Sequence, residues 1–182
     1  MTLTEKEYRE FLKIHLKLLF FVGLKKVVIP ADLSFDQFLD RDFKTKFKCR
    51  ETLLENKELL DEYVASNFDQ LSNDEVKILY GFKKRITSNF VILKCLTNHA
   101  VFIDTNDNKF YAVKALSDPF NKFFNRFPVN VTTTIIPFKD KIIYDGFIQS
   151  SEIYLGRNIT RSLNEEYKHA KYEKLLLTSF DE

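Results

Sequence analysis

An α+β architecture is expected from three features of this 182-residue chain. Capping-box spacings stand ahead of helical-period apolar runs through residues 4–86. After Ser88 the period shortens, and the segments become rich in β-branched and aromatic residues, as strands are. A last capping-box spacing, Ser162 with Glu165, then opens an amphipathic helix. The expected arrangement is an N-terminal helical region (1–88) packed on a small antiparallel sheet or partly closed barrel with a C-terminal helix (89–182).

The first helix is expected from Thr4, where Thr4 and Glu7 can each satisfy the other's backbone N–H. Tyr8, Phe11, Leu12, His15, Leu19 and Val22 fall on one face, and Gly23 is a plausible stop. Ser34 and Gln37 open a second helix carrying Phe35, Phe38, Leu39 and Phe43. A third is expected over 51–68, with Leu53, Leu60 and Val64 inward. Ser72 and Glu75 start a fourth, with Val76, Leu79, Tyr80 and Ile86. The helices share no residue pattern and are not an internal repeat.

Strands are expected over Phe90–Thr97, Ala100–Asp104 and Lys109–Ala115, the last two joined by the turn residues Thr105–Asn108. Asp118-Pro119 begins a Phe-rich loop. Val129–Phe138 and Lys141–Gln149 form a second hairpin around Lys139-Asp140. Pro137 belongs at an edge or a strand end, where no ladder donor is needed. Glu152–Leu155 is a short last strand, and the final helix runs to about Leu177. No Pro/Gly/Ser-rich linker interrupts the chain near residue 88, which leaves a shared core open to the two halves.

Apolar residues make up 45% and charged residues 30%, a folded rather than a disordered composition. With 19 Phe, no Trp and only 4 Gly and 4 Pro, long elements around an aromatic-rich core are expected. The net charge is +2. Residues 1–88 hold 16 basic and 15 acidic side chains, so neither half carries the broad positive excess of a general nucleic-acid binder. Cys49 and Cys95 lie far apart without metal-ligand spacing or a disulfide framework. The N-terminal segment lacks the apolar core of a signal peptide, and the run Leu18–Val22 is far too short to cross a bilayer. A cytoplasmic protein without a membrane partner, metal or cofactor is the expectation.

Three words in the second half carry a resemblance: Leu116-Ser117-Asp118-Pro119-Phe120, then Ile136-Pro137-Phe138-Lys139-Asp140-Lys141-Ile142-Ile143-Tyr144-Asp145-Gly146, then Arg161-Ser162-Leu163-Asn164-Glu165-Glu166-Tyr167. With the ending Leu177-Thr178-Ser179, they make residues 90–180 similar to a family of uncharacterised bacterial proteins. Some of its members look to end in a zinc-binding tail like the C-terminal motif of the SecA translocase. This chain lacks that cysteine cluster, so the resemblance implies a bacterial source and a related fold, but no metal role.

Several side chains invite a chemical reading. Asp145 beside Gly146 is either a general base or metal ligand at a ligand approach, or part of a β-bulge; the bulge is the better explanation. A Cys95–His99 dyad would need an exposed, activated thiol. Cys95 instead alternates with Val91 and Leu93 as a buried residue would. His15 lies on an apolar face, and His169 is expected at the surface. Glu165 and Glu166 diverge by about 100° on a helix and cannot act as a facing pair.

Lys83, Lys84 and Arg85 end the fourth helix. Lys44, Lys46, Lys48 and Arg50 follow the second. Lys139, Lys141, Arg157 and Arg161 lie in or near turns of the sheet half. Small barrels bind nucleic acid through such loops and basic-aromatic faces; the competing reading is ordinary solvated charge. Phe120, Phe123, Phe124 and Phe127 would anchor a protein interface if exposed. Burial in the barrel is expected, because four free rings invite aggregation.

The functional expectation is a non-enzymatic binding or regulatory protein of the bacterial cytoplasm, with a protein or nucleic-acid partner. Its rival is a metal-dependent hydrolase or nuclease centred on Asp145.

Overall fold

The computed structural model describes residues 1–180, of which 152–154 by their backbone alone. The chain is α+β, with helices leading into a mixed sheet and then a C-terminal helix. It divides into two compact units, residues 9–83 and residues 1–8 with 84–182.

The helical unit opens within α1 (Glu5–Lys25). Phe11, Ile14, His15, Leu18, Leu19 and Val22 are buried along it. Gly23 does not end this helix, which runs on to Lys25. Its role is close packing: a Cβ there would lie 2.9 Å from both Cys49 Sγ and Ile29 Cδ1. Ser34 and Gln37 form the expected capping box, but α2 (Phe35–Leu39) is a single short helix. Asp42 then accepts the Thr45 N–H at 2.7 Å and starts α3 (Phe43–Glu55). Phe43 therefore opens α3 instead of closing α2, because a second cap competes for it. The helix expected over 51–68 is likewise two. The chain breaks after Glu55, where Asn56 Nδ2 donates to Thr52 O at 2.9 Å, and α4 (Glu58–Asn67) follows. α5 (Asn73–Gly81) starts at the Ser72/Glu75 capping box as expected and leads into a 3-10 turn over Phe82–Lys84.

The sheet unit contains β1 (Ile86–Cys95), β2 (Ala100–Asp104), β3 (Phe110–Lys114), α6 (Phe120–Phe123), β4 (Val129–Phe138), β5 (Lys141–Tyr154), α7 (Arg157–Tyr172) and β6 (Leu176–Leu177). β1 pairs antiparallel with β2 and β4, β2 with β3, and β4 with β5. β3 pairs parallel with β5 and β6, so the sheet is mixed. The pairings β1-β2-β3-β5-β4-β1 return to their origin and close a five-stranded barrel. Closure leaves those five strands without an open edge. The separate strand expected over 152–155 is largely the end of a long β5.

Alternation divides the side chains of the first three strands between two cores. Inside the barrel, Phe90 and Phe102 lie 5.7 Å apart, and Phe120 bridges Phe102 and Tyr144 at 5.2 Å each. On the outer face, Val91, Leu93, Val101, Ile103 and Phe110 pack against Tyr167 and Ala170 of α7. β2 is consequently buried at all five positions. α7 begins five residues before the expected start. Its N-cap is Gly156, while Ser162 lies inside the helix and its Oγ donates to Glu166 Oε1 at 3.0 Å. A capping-box spacing is a local pattern, and here the helix had already begun. No helix of the described residues is long and apolar enough to cross a membrane.

Candidate binding surfaces

Asp145 lies in β5 opposite a register shift between Thr133 and Ile135 of β4. It is buried, and its Oδ1 accepts the Phe147 N–H at 3.1 Å. Gly146 between them takes φ +94°, which an L side chain rarely adopts. The geometry is that of a β-bulge tied down by its own carboxylate. Among the described residues, no group of three or more His, Cys, Asp or Glu is placed to hold a metal ion.

The histidines and cysteines follow their surroundings. His15 packs 5.1 Å from the Phe11 ring and 6.0 Å from Phe82. Burial, with Arg50 nearby, holds its pKa down at about 3, so it is a neutral core side chain. Burial raises the Cys95 thiol and lowers His99, whose imidazolium Lys114 also disfavours. Both shifts oppose the thiolate–imidazolium pair that a nucleophilic dyad uses. Glu165 pairs with Arg161 at 3.2 Å, and Glu166 accepts from Ser162, so the adjacent carboxylates have separate partners.

Several of the basic candidates are neutralised by neighbours. Lys83 pairs with Asp61 at 2.6 Å. Lys141 binds both Glu7 (2.9 Å) and Asp140 (2.6 Å), and the hydrogen bond from Lys141 holds the Glu7 carboxyl down at about 2. Lys84 is exposed and Arg85 half-buried. Lys139 sits at the β4–β5 turn with φ +55° and its ammonium 5.5 Å from the Phe138 ring. Arg157 and Arg161 occupy the first turns of α7 instead of a sheet turn. Lys44, Lys46, Lys48 and Arg50 follow α2 as expected, on α3.

The Phe-rich segment between β3 and β4 is neither wholly buried nor wholly free. Phe120 is sealed in the barrel core, whereas Phe123 is 49% exposed and Phe124 and Phe127 are half-buried. Phe123 meets Phe124 edge-on at 6.5 Å, and Phe124 meets Phe127 in the same way at 6.5 Å. One ring of the segment is thus buried, and of the other three Phe123 is the most exposed. Lys122 beside them is held by Asp118 at 2.6 Å.

One surface escapes sequence reasoning. A cleft of about 630 Å³ lies between the β2–β3 turn, α7 and β6, within the usual range for small-ligand sites. Phe110, Ala170, Leu175 and Leu177 make its apolar lining, with Asp107, Lys109, Glu166, His169 and Lys174 around it. Asp107 and Lys109 pair at 2.9 Å. Asp145 does not line it. Its one sequence signal was the run Leu175-Leu176-Leu177, which reads equally well as the end of a helix.

Comparison with protein-family models, with curated proteins and with solved structures finds no match to this chain.

Proposed function

We propose that this is a non-enzymatic binding protein whose sheet unit docks a partner protein through the segment between β3 and β4. The observation that carries the reading is the aromatic row Phe123–Phe124–Phe127, on the same short segment as the buried Phe120 and with the half-exposed Phe123 at one end. Rings held in place by one another lose little freedom on binding, and aromatic anchors dominate interface energies. Two features favour a protein over a nucleic acid here. Five-stranded Greek-key barrels of the OB kind take oligonucleotides on the outer face of their second and third strands. In this barrel that face lies under α7. Lys122, next to Phe123 in the chain, is already paired with Asp118.

The rival hydrolase reading needs Asp145 to reach a substrate. A buried carboxylate that accepts its own bulge N–H supports a structural role instead.

A photo-crosslinking side chain placed at position 123 in cells of the native host tests the proposal, with position 172 on the exposed face of α7 as the control. A defined crosslinked protein at 123, absent at 172 and lost on Phe127→Asp, is the expected result. The same crosslinks at both positions would remove the basis for the reading.

A further inference from the structure

We infer that the sheet unit carries a site for a small phosphate-bearing anion, diphosphate or larger, where the β1–β2 turn meets the last turns of α7. Lysines from three elements gather there about the His99 imidazole: Lys94 on β1, Lys114 on β3, and Lys168 and Lys171 on α7. Lys94 Nζ donates to Asn164 Oδ1 at 2.6 Å. Asn164, Lys168 and Lys171 follow one another at helical spacing, so they share the flank of α7 that meets β1. Lys114 ends β3 beside the β1–β2 turn, where its ammonium donates to Asn98 O at 3.1 Å. The turn is held by Leu96 N–H on His99 O and by the Met1 amino group on Thr97 O, both at 2.8 Å. Burial, with Lys168 and Lys171, keeps the pKa of Lys94 below its ordinary value. Burial, with Lys114, the Met1 amino group and Lys171, does the same to His99.

No acidic side chain offsets these charges among the described residues. Residues 84–103 contain neither Asp nor Glu. Glu165, one turn before Lys168, is paired with Arg161 at 3.2 Å. Glu173 is two residues past Lys171, and such positions do not face each other. The partners that Lys94 and Lys114 have are an amide, the Tyr167 ring and a carbonyl, and none of them cancels a charge. Lys168 and Lys171 are exposed and make no ion pair among the described residues. Other lysines of the chain are matched: Lys25 with Glu62, Lys83 with Asp61, Lys109 with Asp107 and Lys122 with Asp118. Cations favour a helix C-terminus, which accounts for Lys171 by itself. It does not account for the two cations that β1 and β3 bring to the same place against repulsion.

The side chains favour phosphate over carboxylate. Each lysine is a compact point charge, whereas a planar carboxylate is best gripped by an arginine fork. Arg161, on the same flank of α7, is occupied by Glu165. Charges arriving from three elements suit a compact anion with oxygens on all sides. Several ammonium groups need more than one negative charge to balance them, hence a diphosphate or longer.

His99 reports on the site. Its Nε2 is buried without a hydrogen-bond partner among the described residues, so the ring's titration reads the charge around it. Magnetic-resonance titration of the three imidazoles in the full chain, with and without millimolar pyrophosphate, tests the inference. Pyrophosphate should raise the His99 midpoint, because nearby negative charge favours the imidazolium, and leave the buried His15 unmoved. The double change Lys168→Ala, Lys171→Ala should weaken pyrophosphate binding about tenfold or more, the scale of a lost charge-assisted contact. Both lysines are exposed, and unchanged circular dichroism verifies that the variant folds. Phe123→Asp should leave binding intact, which separates this site from the aromatic segment. ADP distinguishes a nucleotide from free diphosphate as the source of the phosphate: tighter binding than pyrophosphate identifies a nucleotide, equal or weaker binding the free anion. An unmoved His99 midpoint would overturn the inference. So would parental affinity in the double variant, or citrate binding as tightly as pyrophosphate.

Discussion

Replacing Tyr167 by alanine tests whether α7 is an integral wall of the sheet unit. The Tyr167 side chain is only 6% exposed, and its ring lies 6.2 Å from Phe110 over the outer face of the barrel. Removing roughly 150 Å² of buried aromatic surface at about 25 cal/mol per Å² costs about 4 kcal/mol. The Lys94 ammonium, 4.6 Å from the ring centroid, would lose a cation–π contact of about 0.5–1 kcal/mol. Lys94 would keep its hydrogen bond to Asn164 Oδ1 at 2.6 Å, so α7 stays partly anchored. The net expectation is about 4–5 kcal/mol, inside the range measured for large-to-small aromatic changes. Urea unfolding with a slope of about 2 kcal/mol/M would then show the midpoint about 2 M lower. Hydrogen exchange should localise the loss to the amides of residues 157–172 and of β2. Tyr167→Phe should cost less than about 1 kcal/mol, because it preserves the ring. A Tyr167→Ala cost below about 1 kcal/mol would refute the claim that α7 seals this face.

Two further outcomes are expected. His15 has a folded pKa of about 3 against an ordinary 6.5, so the unfolded chain takes up its proton first as the pH falls. Stability attributable to His15 is therefore complete above pH 6.5 and lost between pH 6.5 and 3, amounting to about 2 kcal/mol by pH 5. Melting curves at pH 7 and pH 5 should show a smaller difference for His15→Leu than for the parent; equal differences would contradict a buried neutral imidazole. At the β5 bulge, Asp145→Ala and Gly146→Ala should each destabilise by about 1–3 kcal/mol, through a stranded N–H and through strain at φ +94°. Magnesium, manganese or zinc should leave the parent's melting temperature unchanged. A rise of several degrees that disappears in Asp145→Asn would revive the metal-dependent reading.

The sequence by itself determined the features that depend on neighbours a few residues apart. The caps at Thr4, Ser34 and Ser72, the turn at Thr105–Asn108, and the limits of β2 and β4 are written in adjacent side chains, and they appear as expected. The bulge at Asp145-Gly146 was legible for the same reason. Tertiary structure decided whatever depends on competition or distance. Asp42 captured Phe43 for α3, and α7 began at Arg157 before the Ser162 spacing could act. The parallel β3/β5 pairing that closes the barrel joins residues nearly thirty apart, and no local pattern encodes such a partner. Exposed surfaces behave in the same way. Phe120 and Phe123 are three residues apart and chemically identical, yet one is sealed in the barrel and the other half-exposed. Only the closed barrel fixes which ring faces inward, and so which is left at the surface.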